Sequence, residues 1–265
     1  MISLDTLFTL RAAESGRFHS TIPDGWQQGR GAFGGLVLGQ MVAAAEASET
    51  DARRRLRSLT AELVGPVQPG AAEMTVEPLR RGSSVTALAV RLLQGGEVQA
   101  HAVALLAADR PAASWHEEMP PSPPPWHAVP EIGLGASGVG PAFAEFFEYR
   151  PLSGAPFSGA ETATTSGYIR SRLAVERPGA AWVTALADAW WSAAVARFTA
   201  VRPFATITFT LQMVLDPTTL DVTEPLFHRA RAPHSSDGYA LEARELWTGD
   251  GRLVAVNHQT VAVLG

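Results

Sequence analysis

Residues 39–60, GQMVAAAEASETDARRRLRSLT, and residues 187–209, ADAWWSAAVARFTAVRPFATITF, follow one plan. Each leaves an apolar helical stretch, crosses a short polar connection and enters a β-type segment. Gln40 stands eighteen positions before Ser58, and Asp188 stands eighteen before Thr206. One chain therefore carries two copies of a helix-then-strand passage that differ in few chemically important residues.

Outward from these passages the parallel continues. The first copy predicts a helix over 33–47 and strands near 56–67, 71–79, 84–94 and 97–107. The second predicts short strands near 143–151 and 165–173, a helix over 182–198, and strands near 204–215, 222–231, 237–248 and 252–263. LLQGGEVQA (92–100) and LWTGDGRLV (246–254) each read as a hairpin with a two-residue Gly-rich turn. Aligning them puts Gly96 on Gly251 and Ala104 on Gln259, while a gap-free alignment of helix and first strand pairs Gln40 with Asp188 and Ser58 with Thr206. Between the copies, a Pro- and Gly-rich stretch without period reads as a linker. The expected organisation is an N-terminal repeat over 1–110, a linker over 111–141 and a C-terminal repeat over 142–265.

Both predicted helices are apolar on nearly every side. In FGGLVLGQMVAAA the only polar side chain is Gln40, and in VTALADAWWSAAV the polar ones are Thr184, Asp188 and Ser192. Such helices are buried all round. An α+β fold that does this is an antiparallel sheet wrapped around one helix, the hotdog, and two copies related by a pseudo-twofold make a double hotdog.

The 265 residues are 46% apolar and 18% charged with a net charge of -5, so a globular protein with a sizeable core is expected, and nucleic acid is not an expected partner. There is no cysteine, hence no thiolate nucleophile and no disulfide. Asp5 stands where a signal peptide would be basic, and no run reaches the roughly 18 apolar residues of a membrane span, so a cytoplasmic protein without membrane insertion is expected. The histidines show no metal-ligand spacing, there is no G-x-S-x-G, and neither metal nor other cofactor is expected.

AFGGLVLGQMVAAA, RRGSSVTALAVRLLQGGEVQAHAVALLA, ALADAWWSA, FATITFTLQ and ELWTGDGRLVAVNHQTVAV, in this order and spacing, resemble the bacterial acyl-CoA thioesterase II family. The resemblance implies hydrolysis of an acyl-CoA by water, with an Asp on the second helix, a Thr early in the next strand and a Gln in the last strand. Here these are Asp188, Thr206 and Gln259. Close members have Asp and His where this chain has Thr208 and Phe209, and a Ser-rich, Arg-containing strand where it has HSSDGYALEAR (234–244).

The residues suit that chemistry. A carboxylate in apolar surroundings becomes a stronger base, and a hydroxyl and an amide can orient the attacking water. Gly34 and Gly35 at the first helix start are expected to offer backbone N–H groups to the thioester carbonyl. Trp191 is expected along the acyl group, and Arg80 and Arg81 at the CoA phosphates. Simple alternation along 204–213, however, puts Thr206 opposite the apolar face of Phe209 and Leu211 unless a bulge intervenes. Exposure of Ile207, Phe209 or Leu211 on an outer sheet face would favour a homodimer or homotetramer. A catalytically silent acyl-CoA or acyl-lipid binding protein and a hydratase of the same fold are the competing readings.

Overall fold

The computed structural model describes residues 3–14, 16–115, 120–135 and 140–263. A short helix α1 (Leu4–Leu7) precedes strands β1 (Arg11–Ala12) and β2 (Arg17–Ile22) and a small hairpin, β3 (Gln27–Gln28) with β4 (Gly31–Ala32). Helix α2 (Gly34–Ala47) then leads into β5 (Arg55–Leu63), β6 (Gly70–Arg81), β7 (Val85–Gln94) and β8 (Glu97–Ala107). After the linker come β9 (Phe147–Ser153), β10 (Thr164–Ser171), α3 (Ala180–Ala189), β11 (Phe204–Met213), β12 (Leu226–Ser236), β13 (Tyr239–Trp247) and β14 (Leu253–Val263).

Twelve strands form one sheet in the order β1-β2-β6-β7-β8-β5-β11-β14-β13-β12-β10-β9. Read from either end the order is the same once each strand is replaced by its repeat partner. The pseudo-twofold passes between β5 and β11, which pair antiparallel at the centre with Thr60 opposite Thr210. The sheet wraps α2 and α3; every residue of α3 is buried, and so is α2 from Gly34 to Val42. This is the double hotdog expected from the repeat.

The helices cross closely because glycine lines the contact. A Cβ on Gly35 would come within 3.0 Å of Ala185 Cα, and one on Gly39 within 3.1 Å of the Ala181 carbonyl. Rising along α2, the partner falls along α3, so the helices run antiparallel. The start of α2 therefore meets the end of α3.

Several sequence expectations are corrected. Helix α3 ends at Ala189 instead of continuing to 198, because its last carbonyls find partners elsewhere: Ala187 and Trp190 accept from Arg244, and Ala189 accepts from Tyr149. Beyond it, Ser192 caps a 3-10 turn over Ala193–Arg197. Strand β2 was not predicted, although RFHSTI alternates in burial. Asp237 and Gly238, expected to begin a strand, both have positive φ and make the two-residue turn between β12 and β13. Conversely, the last hairpin closes through a longer loop, with Trp247 opposite Leu253.

The repeat register also shifts. Both central strands carry a bulge, between Leu56 and Ser58 in β5 and between Thr206 and Thr208 in β11. Laying bulge on bulge and turn glycine on turn glycine reproduces the pairing of β5, β7 and β8 in β11, β13 and β14. Thr206 then falls on Leu56 and Ser58 on Thr208, two residues from the gap-free alignment, while Gln259 stays on Ala104.

Phe209 and Leu211 are fully buried against the helices, so β11 contributes neither to an apolar outer face. The stretch between the repeats is anchored to the sheet: Ile132 bridges to Tyr149, Tyr168 donates to the Pro124 carbonyl, and Trp126 lies under the guanidinium groups of Arg150 and Arg170. No helix among the described residues is long and apolar enough to cross a membrane.

Candidate active site

The β11 bulge decides the site. An extra residue reverses the alternation, so Thr206 shares the helix-facing side with Phe209 instead of opposing it. Thr206 pairs with Val261 and Phe209 with Gln259 on β14, which aligns Asn257, Gln259 and Val261 on the same inner face.

Three side chains meet there. Thr206 Oγ1 donates to Gln259 Oε1 at 2.8 Å, and Gln259 Nε2 donates to Asp188 Oδ1 at 3.0 Å. The same nitrogen donates to Asn257 Oδ1 at 2.9 Å, while Asn257 Nδ2 is held by the Thr210 carbonyl. Asn257 therefore fixes which end of the Gln259 amide points to the carboxylate. Asn257 is not among the residues expected from the sequence; its position two residues from Gln259, on the same strand face, is the available signal.

Asp188 is the penultimate residue of α3 and is 8% exposed. The start of α2 has no side-chain cap of its own, and the Gly35 backbone N–H is turned to the Asp188 carboxylate. One helix thus caps the other across the pseudo-dyad, with the positive end of the α2 dipole against the anion. Burial nevertheless raises the Asp188 pKa above the ordinary carboxylate value; Arg244, the Gln259 amide and Gly35 oppose that shift, and Glu242 adds to it. The balance leaves a carboxylate that is a stronger base than one in water.

A cleft of about 440 Å³, counted to its open mouth, reaches this carboxylate. Asp188 and Thr206 line it together with Tyr149, Trp191, Phe204 and Arg244. Trp191 stacks on Trp190 at 4.4 Å and uses its indole N–H on the Gly154 carbonyl, leaving its ring face as apolar wall.

Behind the cleft runs a buried polar row that sequence reasoning missed. Glu242 and Arg244 lie on the inner face of β13, opposite Gln259 and Asn257 respectively. Arg244 Nε donates to Glu242 Oε1 at 2.7 Å, and Ser192 Oγ together with the Ala193 N–H donates to Glu242 Oε2. The signal was an acid and a base two apart in the strand EAR, on the parity of buried Ala240 and Leu246.

Three expected contributions fall elsewhere. The Gly35 N–H serves the carboxylate and is not free for a carbonyl. Arg81 donates to the Ser48 carbonyl at 2.9 Å, beyond the far end of α2, and Arg80 is exposed beside it on β6. A helix of 14 residues is about 21 Å long, so the Ser48 carbonyl that holds Arg81 stands about that far from Gly34. The matching strand places of the other repeat are apolar: Leu56, Leu88, Val90, Ala102 and Ala104 stand for Thr206, Glu242, Arg244, Asn257 and Gln259, and all are buried, while Gln40, paired with Asp188, accepts from Ser20 Oγ and donates to the Leu7 carbonyl.

The fold is similar to that of a conserved protein of unknown function with a hot dog fold from Alicyclobacillus acidocaldarius, at 25% identity and a TM-score of 0.89 over 98% of this chain and 97% of that one. It is also similar to an acyl-CoA thioesterase II, TesB2, from Mycobacterium marinum, at 20% identity and a TM-score of 0.79 over 98% and 97% of the two chains. No curated protein sequence matches significantly. The class is thus a double-hotdog protein. Family models match in two parts, the acyl-CoA thioesterase N-terminal domain over residues 22–107 and the acyl-CoA thioesterase C-terminal domain over residues 111–263. The chain belongs to the acyl-CoA thioesterase family and is a thioester hydrolase.

Proposed function

We propose that the protein hydrolyses acyl-CoA to free acid and CoA, using a water deprotonated by Asp188 and oriented by Thr206 and Gln259. The observation that carries this reading is the hydrogen-bonded series Thr206–Gln259–Asp188, ending in a buried carboxylate of raised pKa at an aromatic-lined cleft. Desolvation makes the carboxylate a usable base, and positioned base catalysis contributes about 10²- to 10⁴-fold. The leaving thiol, with a pKa of roughly 8.5, needs little assistance. Trp191 and Phe204 offer apolar wall to the acyl group. Release of free thiol from acyl-CoAs of short, medium and long chain tests the reading. Loss of at least about 10² in kcat in Asp188→Asn supports it; wild type that binds these acyl-CoAs without cleaving them overturns it in favour of a binding protein.

A further inference from the structure

With the Gly35 N–H turned to the base and Gly34 not among the residues that line the cleft, the thioester carbonyl needs another donor. Most side-chain donors lining the cleft are already committed. Tyr149 donates to the Ala189 carbonyl, Trp190 to Thr165, Trp191 to the Gly154 carbonyl and Thr206 to Gln259. Among the described residues, two lining side chains retain unused donors: Gln28, half-buried on β3, and Arg244.

Arg244 is the better placed chemically. It is 3% exposed, yet its guanidinium is only partly consumed: Nε goes to Glu242 and Nη1 to the Ala187 and Trp190 carbonyls at 3.1 Å each. Nη2 has no hydrogen-bond partner among the described residues, although the residue lines the cleft. The two carbonyls held by Nη1 flank Asp188 in sequence, so the cation is fixed to the same end of α3 as the base. A desolvated cationic donor beside a site of developing negative charge stabilises that charge far more than one in water.

We propose that Arg244 Nη2 is the oxyanion donor of this thioesterase, an inference that rests on the hydrolytic reading above. Water oxygen bonds to the thioester carbon, its proton passes to Asp188, and the carbonyl π pair moves onto oxygen beside Arg244. Collapse restores the C=O bond and breaks the C–S bond, and the departing thiolate takes the proton from Asp188. Negative charge thus moves from carboxylate to oxyanion and then to sulfur while the guanidinium stays in place. Glu242 is the positioning residue that holds it.

The test compares Arg244→Met with the double variant Glu242→Leu/Arg244→Val. The second pair imitates Leu88 and Val90, which occupy the matching places in the other repeat, so it keeps the question answerable if a lone Glu242 prevents folding. The expected result is a kcat lower by about 10²- to 10³-fold with a small change in KM. An acyl-CoA trifluoromethyl ketone analogue, whose hydrated carbonyl imitates the tetrahedral intermediate, should lose a similar factor in inhibition while CoA itself binds as before. Variants with wild-type kcat overturn the role of Arg244, as does a slow variant still inhibited at wild-type potency, which would make Arg244 a support for α3 alone. Full activity in both variants with a comparable loss in Gln28→Ala transfers the role to Gln28. Wild type that cleaves no thioester overturns the hydrolytic reading itself, before any variant is compared.

Discussion

Asp188 Oδ2 lies 2.7 Å from the point that a Cβ on Gly34 would occupy. Gly34→Ala is therefore expected to turn the carboxylate away from Gln259 and the Gly35 N–H. Alanine favours the helix, so folding should survive. A kcat reduced about 10-fold or more with little change in Tm is the expected pair of readings, since a misplacement of about 1 Å can cost up to 10²-fold. Unchanged kcat would show that Asp188 has room to give way without consequence.

Asp188→Asn should slow hydrolysis and also stabilise the protein at neutral pH. A carboxyl group whose pKa is raised on folding binds its proton more tightly in the native state. Stability is then greatest below the unfolded value of about 3.9 and declines as pH rises through the folded value. The asparagine removes that decline. Melting temperatures of the two proteins should differ at pH 7, with the variant higher, and should converge in acid.

The same shift places the acid limb of kcat/KM above the ordinary carboxylate range. The groups that bear on Asp188 are Arg244 and Glu242 from β13, Gln259 from β14, Gly35 from α2 and Tyr149 from β9. Because Arg244 lowers the Asp188 pKa, Arg244→Met should move the limb to higher pH. A limb that stays in place in this variant would separate the observed ionisation from Asp188.

Thr206→Leu with Gln259→Ala would copy the buried pair Leu56 and Ala104 from the other repeat. The fold should accept it, as it already accepts that pair once. Activity should fall by 10-fold or more, through loss of the groups that orient the water. A double variant that retains kcat would leave Asp188 able to act without either residue.

Much of this was legible in the residues. Two nearly all-apolar helices imposed burial on all sides, and LLQGGEVQA set its turn at Gly95 and Gly96, both at positive φ. Asp188 stood out as one of three polar residues on its helix, while Thr206 and Gln259 were singled out only through the family resemblance. The inward turn of Thr206 was not legible, because a bulge depends on how β11 pairs with β14 and leaves no mark in FATITFTLQ. Nor was the end of α3. Ala-Trp-Trp-Ser contains no helix breaker, and the groups that compete for its carbonyls are distant in sequence: Arg244, 57 positions from Ala187, and Tyr149, 40 positions from Ala189. The Glu242–Arg244 pair was hidden for a related reason, since charged strand residues ordinarily face water and here they face each other in the interior.

Across the pseudo-dyad, the amide end of the first repeat's helix steadies the acid of the second. A separated C-terminal repeat would keep Asp188, Thr206 and Gln259 and lose the N–H that turns the carboxylate to its task. A separated N-terminal repeat would keep that N–H with nothing to steady. Covalent linkage of the halves therefore does more than hold two similar bodies together. It lets the first copy, which carries no acid at the matching place, serve as wall and brace for the centre proposed around Asp188 and still be indispensable to it.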